Sequence, residues 1–480
     1  MKWYSPETLC LGSAVFYTAF KPMELSLLSV LIPLVLLAGW VSLFGRRGRL
    51  LFLVLLVFLS ASGAVYHWQS RVCIPFPPEQ CCSVNGVLAE EPSWTSRGNL
   101  YLRINLVHAG QINGAAGEGA GTISVFLPEE KAPRSASWIR GDSIQVSGSM
   151  ALLENRPVFF ARTLNQYTMK TPGSFRRRLL GYVRQRAAGI SDFSQTLLPA
   201  LVLGLNHPLQ ERCTRLFRET GTAHIIALSG FHSGLVAALL YGFFRIIFGA
   251  RGGLAAAGLG LLYYLYLAGP GPSLVRSVIM YEIVLLCKLG YRKPDLKKVL
   301  LASWLFSALF FPPSLQTLSA RLSYLALWGL LFSTGHFEGL LHFIGIPFLR
   351  KGLSASLAAQ VWTFPLVLTS FSVWYPAGIV ASLVLTPLVA LYMYSSLLYL
   401  LLPDIRFLTF LPVLLCRLLE SLLIRGAEFF RMIPSLSAAS AGPGLFLILL
   451  FPLLLGVVYR PGGNGGKREP EPELRLSYGD

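Results

Sequence analysis

The sequence predicts a polytopic α-helical membrane protein with a small all-β domain inserted after its first spans. Three observations carry this. Of 480 residues, 54% are apolar and only 13% charged, a balance suited to helices that face lipid. Apolar stretches about as long as a bilayer crossing, some 20 residues, recur on both sides of one polar region. Within that region, residues 83–165 change to short alternating runs punctuated by Gly, Pro and Asn, the period of half-buried strands.

At the start of the chain, residues 6–20 are apolar but short, whereas 25–44 and 50–66 are long enough to cross. Arg46, Arg47 and Arg49 lie between the two longer stretches. The positive-inside rule puts that loop in the cytoplasm and residue 67 onward outside. Lys2 precedes a polar, broken start, so the first span is expected to stay as an uncleaved anchor.

The alternating runs are Ser83–Leu88, Asn99–Leu106, Thr122–Leu127, Asp142–Ser147 and Pro157–Arg162. They suit a small barrel, and Gly141-Asp142 before a Val-containing strand points to an OB-like extracytoplasmic domain over 67–170. OB folds commonly bind single strands or oligosaccharides. Acidic and basic residues nearly balance here, so no basic face is evident. Trp94, Tyr101 and Trp138 are candidates for stacking on bases and equally for the barrel core. Cys73, Cys81 and Cys82 cluster in the same region. An extracytoplasmic location would let Cys73 pair with Cys81 or Cys82, leaving one thiol over.

Residues 171–220 are Arg-rich. Phe175–Ala188 reads as a helix bearing Arg176, Arg177, Arg178, Arg184 and Arg186, and a second helix near 208–219 carries Arg212, Arg215 and Arg218. Such helices either lie on anionic lipid or form a positive rim that guides a polyanion. The formal charge of +18 is shared between loop orientation and an anionic partner, whether headgroups or nucleic acid.

From 221 to 460 the chain returns to spans, near 222–248, 252–269, 272–290, 297–311, 316–334, 353–371, 376–402 and 443–459. Arg245 and Arg251 mark one cytoplasmic loop; Lys288, Arg292, Lys293, Lys297 and Lys298 mark another two spans later. Residues 407–432 mix Leu and Phe with Arg417 and Glu420 and read as an amphipathic helix along the bilayer. Residues 461–480 are Gly-, Pro- and charge-rich, the composition of disorder.

Polar residues at membrane depth mark cavities and pathways. Residues 217–236 gather His224, Ser229, Gly230 and His232 at the mouth of a long apolar run. On a continuous helix, Ser229 and His232 would lie about 60° apart and His224 about 80° from His232, so one wall would present all three. Gly221, Gly230 and Gly234 equally permit a break. Ser229 and His232 lack a carboxylate at usable spacing, and Ala227 departs from Gly-x-Ser-x-Gly, so no catalytic residue is expected. The two histidines lack a third ligand, so neither metal nor cofactor is expected. Arg276, after Pro270-Gly271-Pro272, either reaches out to headgroups or faces the bundle interior; Arg321 is similar, with Gln360 a polar neighbour.

His224-Ile-Ile-Ala-Leu-Ser-Gly-Phe-His232 resembles the H-hydrophobic-A-hydrophobic-S-G-hydrophobic-H signature of ComEC-type competence proteins. Ser273, Arg276 and Met280 match that family's S-x-x-R-A-x-x-M segment. Ser319–Ala326 resembles its G-F-Q-L-S-F-x-A helix, and Ala359–Pro365 with Pro387 its A-Q-x-x-T-x-P and later proline elements. Arg321 stands where the family usually has Gln, Ser319 and Ala320 replace Gly-Phe, and Ser382 takes an Asn position.

The resemblance implies a multi-pass channel of the bacterial inner membrane that passes single-stranded DNA into the cytoplasm in natural transformation. On that expectation His224, Ser229, Gly230, His232, Arg276, Arg321 and Gln360 line the route. Arg176, Arg177, Arg178, Arg184, Arg186, Trp94 and Trp138 would receive the strand from a DNA-receptor protein on the outer face. The sequence holds no P-loop and no His-x-His-x-Asp-His cluster. A cytoplasmic helicase or translocase and a separate nuclease are therefore expected partners, and the chain is expected to be the form without a metallo-β-lactamase-like domain. The alternatives are a transporter or receptor for another anionic or oligosaccharide solute, and a non-conducting membrane scaffold.

Overall fold

A computed structural model describes residues 72–437, apart from 73, 90–91, 95–98, 112–113, 115, 132–137, 139, 154–155, 169–174, 205–209, 227–228 and 316. The spans expected at 6–20, 25–44, 50–66 and 443–459, the tail and Cys73 lie outside the described residues.

Five long strands form the ring of the small domain, with short strands at Ser93–Trp94 and Ala116–Glu118 beside them: β1 Cys81–Leu88, β2 Leu100–Gln111, β3 Thr122–Leu127, β4 Ser143–Leu153 and β5 Arg156–Thr168. β1 pairs antiparallel with β2 and β4, β2 with β3, and β4 with β5, while a parallel β3–β5 pairing closes the ring. Alternation decides what faces inward. Leu100, Leu102, Ile104 and Leu106 on β2 and Ile123, Val125 and Leu127 on β3 fill the barrel, with Val84, Val146 and Phe159. Gly86 and Gly148 stand at register shifts where a Cβ would strike the Asn105 and Phe160 carbonyls. Each faces a bulge on the partner strand, where Val107 of β2 and Arg162 of β5 are the extra residues. β4 and β5 run further than the alternating pattern indicates, because Gly148 interrupts the period without ending the strand.

The helices follow: α1 Phe175–Ala188, α2 Ser194–Leu203, α3 Gln210–Glu219, α4 Ala223–Ile226, α5 Gly230–Ala268 and α6 Pro272–Leu289. Then come α7 Leu296–Phe310, α8 Leu318–Leu340, α9 Pro347–Phe371, α10 Gly378–Leu401 and α11 Arg406–Arg431. Non-helical Gly249 (φ 70°) breaks α5. Gly253 then packs on the Arg245 backbone and Gly260 on Leu240, so the second half of α5 folds back along the first. The two spans expected at 222–248 and 252–269 are this helical hairpin. Apolar side chains of α1–α3, α10 and α11 share one core; α7, α8 and α9 share another around Trp304, Trp328 and Trp362. Gly329 on α8 meets the Ala358 carbonyl of α9, a close approach that only a glycine permits.

Four stretches are long and apolar enough to cross a membrane: 223–268, α9, α10 and α11. Large apolar side chains such as Ile246 (85% exposed) and Phe407 (88%) point outward from them, as lipid-facing groups do. The spans expected at 272–290, 297–311 and 316–334 form α6, α7 and α8 but are absent from that set: α7 has only 15 residues, and α6 and α8 carry polar groups such as Arg276, Glu282 and Arg321. α11, expected as an amphipathic helix along the bilayer, is by length and composition also able to cross it. Two of its polar groups reach protein partners, Glu420 accepting from Ser191 Oγ (2.6 Å) and Ser194 Oγ (2.7 Å) and Arg417 Nε donating to the Ile190 carbonyl (2.9 Å), while Arg425 and Glu428 are exposed. Tyr392 of α10 donates to Ser194 Oγ (2.9 Å), completing a buried network that ties α10 and α11 to the start of α2.

Candidate functional site

The motif segment is bent at Gly221 on one side and at Ser229 on the other. Gly221 has φ 71° and packs against Tyr375 and Gly378 so closely that a Cβ would strike the Tyr375 carbonyl. The Gln360 amide lies beside the same Gly378. After α4, which carries an exposed His224, the chain turns extended at Ser229 (φ −127°) and α5 begins. The single helical wall that a continuous helix would give His224, Ser229 and His232 is therefore not formed. The Ser-Gly pair serves as a helix start.

Ser229 is the N-cap of α5, its hydroxyl accepting from the Phe231 amide (3.3 Å), and His232 Nδ1 lies 3.3 Å from the Ser229 amide and 3.1 Å from Ser229 Oγ. This is a capping box with histidine at the third helical position. A backbone N–H can only donate, so Nδ1 accepts and the proton of the neutral ring sits on Nε2. His232 is fully buried, and Nε2 has no acceptor among the described residues.

Gly230 brings a second element to this helix start. A Cβ on it would lie 2.8 Å from Ser277 Oγ and 3.0 Å from Arg276 Nη2. Arg276 is 6% exposed, so it faces the interior rather than reaching to headgroups. Its Nη1 donates to the Ser323 carbonyl (2.5 Å), and the guanidinium lies 5.7 Å from the Tyr324 ring. Arg276 Nε is buried without a partner, and among the described residues no carboxylate pairs with the group. The structure thus joins Gly230 to Arg276 at one end of the motif and Gln360 to Gly378 and Gly221 at the other. Arg321 is half-buried on α8.

The arginines of α1 behave differently. Arg177 Nη2 donates to both Asp142 oxygens (2.7 and 2.9 Å), pinning the barrel to the helices. Arg176 Nε donates to the Leu267 carbonyl at the end of α5 (2.9 Å). Arg186 donates to Asp404 (2.8 Å) and to the carbonyls of Tyr399 (2.7 Å) and Leu402 (2.9 Å), with its guanidinium 4.1 Å from the Tyr399 ring. Buried cations need such partners. The three are structural, which corrects the expectation that they receive a strand; Arg178 is exposed and Arg184 half-buried.

Trp138 is also corrected: it is 4% exposed in the barrel core. Trp94 lies on a two-residue strand paired with β2. Tyr101 instead joins Phe126 (ring centroids 5.3 Å apart) and Phe126 stacks on Phe160 (5.7 Å) in a ladder across β2, β3 and β5. Phe160 is 41% exposed. Alternation signalled this face, since Phe126 stands between inward Val125 and Leu127, and Phe160 follows inward Phe159. Cys81 and Cys82 carry free thiols; burial pushes the Cys81 thiol up to about 11, which makes it inert at neutral pH.

The Competence protein family profile matches residues 201–461. An uncharacterised protein of Aquifex aeolicus (strain VF5) is 29% identical over 249 residues, 52% of this chain and 57% of that protein. ComE operon protein 3 of Bacillus subtilis (strain 168) is 25% identical over 209 residues, 42% of this chain and 26% of that protein. The chain is thus matched to less than two thirds of either relative's length. No solved structure matches.

Proposed function

This chain belongs to the Competence protein family, and on that premise we propose that it carries single-stranded DNA across the bacterial inner membrane into the cytoplasm. The observation that supports this best is the start of α5, where a buried arginine and a buried histidine hold donors without acceptors inside apolar helices. A polyanion cannot cross lipid by itself, since one charge at the bilayer centre already costs about 3 kcal/mol or more. The protein must supply polar groups along its path, and this cluster is a place where it does.

In this reading the barrel is an OB-like domain on the outer face, and its Tyr101–Phe126–Phe160 ladder is the stacking surface for bases arriving from a DNA-receptor protein. The Arg177–Asp142 pair keeps that surface registered with the helices. The protein conducts without cleaving; a cytoplasmic helicase or translocase pulls, and a separate nuclease removes the other strand. One observation favours a second reading: with Arg176, Arg177 and Arg186 engaged internally, an aromatic ladder on a nearly neutral barrel also suits an oligosaccharide.

Uptake of labelled DNA into nuclease-protected cytoplasm tests the proposal. Deletion is expected to abolish import, and so is the His224→Ala/His232→Ala double variant at matched expression. Normal import by the deletion strain would contradict the channel reading.

A further inference from the structure

We infer that the start of α5 and the guanidinium of Arg276 form a seat for one phosphate group, the point inside the helical region at which a phosphodiester is held. The inference rests on the DNA-path reading for the source of the phosphate, and on geometry alone for the seat.

Three independent observations converge. First, Arg276 is buried yet among the described residues donates to a single protein oxygen, the Ser323 carbonyl. A guanidinium has five N–H donors, and burying it without an anion is costly enough that proteins avoid it. The neighbouring hydroxyls of Ser277, which donates to the Ser273 carbonyl, and of Ser273, which pairs with Ser319, are neutral and cannot balance its charge. Second, Arg276 Nη2 lies against Gly230, the first residue of α5, whose first turn carries the positive end of the helix dipole. A glycine at that position keeps open the space that a Cβ would fill between helix start and guanidinium. Third, the cap fixes His232 in the tautomer whose Nε2–H is a buried donor with no acceptor among the described residues, on the same first turn. The stranded groups are donors, two of them on cationic or dipole-positive elements. A tetrahedral anion with several acceptor oxygens answers that set; a cation or an apolar ligand does not.

The phosphate has two sources, the backbone of a single strand or a lipid headgroup, and binding to the full chain in nanodiscs separates them. The probes are a labelled fifteen-nucleotide oligo-dT, its uncharged methylphosphonate analogue, and discs of phosphatidylcholine with or without phosphatidylglycerol. Arg276→Gln is expected to weaken the phosphodiester about tenfold or more, as loss of a charge-assisted bond does. The slope of log affinity against log salt should fall by about 0.7, one phosphate contact on a single strand. The analogue should bind wild type and variant alike. Arg276→Lys should restore part of the affinity, and Gly230→Ala, which leaves the charge but fills the gap, should lower it.

Equal oligonucleotide affinity, with phosphatidylglycerol raising the melting temperature of wild type but not of Arg276→Gln, would assign the seat to a lipid phosphate and remove it from the DNA path. Equal affinity and equal response to phosphatidylglycerol would overturn the seat; if wild type still binds the oligonucleotide, the DNA-uptake reading survives without it. A wild type that binds no oligonucleotide would count against that reading, and the lipid comparison alone would then decide the seat.

Discussion

The arginines of α1 and the arginine of α6 are all buried, and they are buried on opposite terms. Arg177 meets both oxygens of Asp142, and Arg186 meets a carboxylate, two carbonyls and an aromatic ring. Arg276 meets one carbonyl, the edge of a glycine and, at 5.7 Å, the Tyr324 ring, and among the described residues no carboxylate. A buried cation surrounded by acceptors holds a fold together, whereas one left short of them is a cost that the fold alone does not require. The contrast sets Arg276 apart from the arginines of α1, although both groups read alike in the sequence.

The largest effect that would sharpen this contrast is on stability. Arg177→Ala leaves Asp142 buried and charged, and is expected to cost about 3–5 kcal/mol. Thermal unfolding of the full chain would show it as a marked fall, with much of the loss recovered in the Arg177→Met/Asp142→Leu double variant. Failure of the second change to recover any stability would break the assignment of Arg177 as a partnered clamp. Trp138→Ala should be of similar size, about 3–5 kcal/mol for a large core aromatic. Phe160→Ala is the counterpart on the outer face of the barrel: about 0.5 kcal/mol or less in stability, yet a loss of about 1–3 kcal/mol in single-strand affinity if the ladder stacks bases. The smallest effect concerns the cysteines. At neutral pH an alkylating reagent should leave Cys81 unmodified, because the thiolate forms only as pH approaches about 11. Rapid labelling of Cys81 in the folded protein would contradict its placement in the barrel.

Much of the architecture was legible in the sequence because it rests on periodicity. The five strands, the hairpin about Gly249 and the helices from 272 to 432 all follow from alternation or from the length of apolar runs. What the sequence hid was partnership. Asp142 read as the start of a strand, since nothing local signals the arginine 35 positions later that it binds. Glu420 read as part of a surface stripe, since Ser191 and Ser194 lie more than two hundred residues away. The motif reading left a continuous helix and a break both open, and the structure takes the break, with His224 on α4 apart from Ser229 and His232 at the start of α5. The Ser229 cap shows that Ser-Gly starts a helix, a pattern recognisable locally as a capping box once histidine is admitted at its third helical position.

The most direct test of the account sets Arg276→Met beside Arg177→Met in the same two assays, melting of the purified protein and import of labelled DNA into protected cytoplasm at matched expression. The account predicts that Arg276→Met melts at or above the wild-type temperature while import falls at least tenfold, and that Arg177→Met loses stability first. An Arg276→Met protein that imports DNA normally, or one that loses melting temperature and import together, would contradict it.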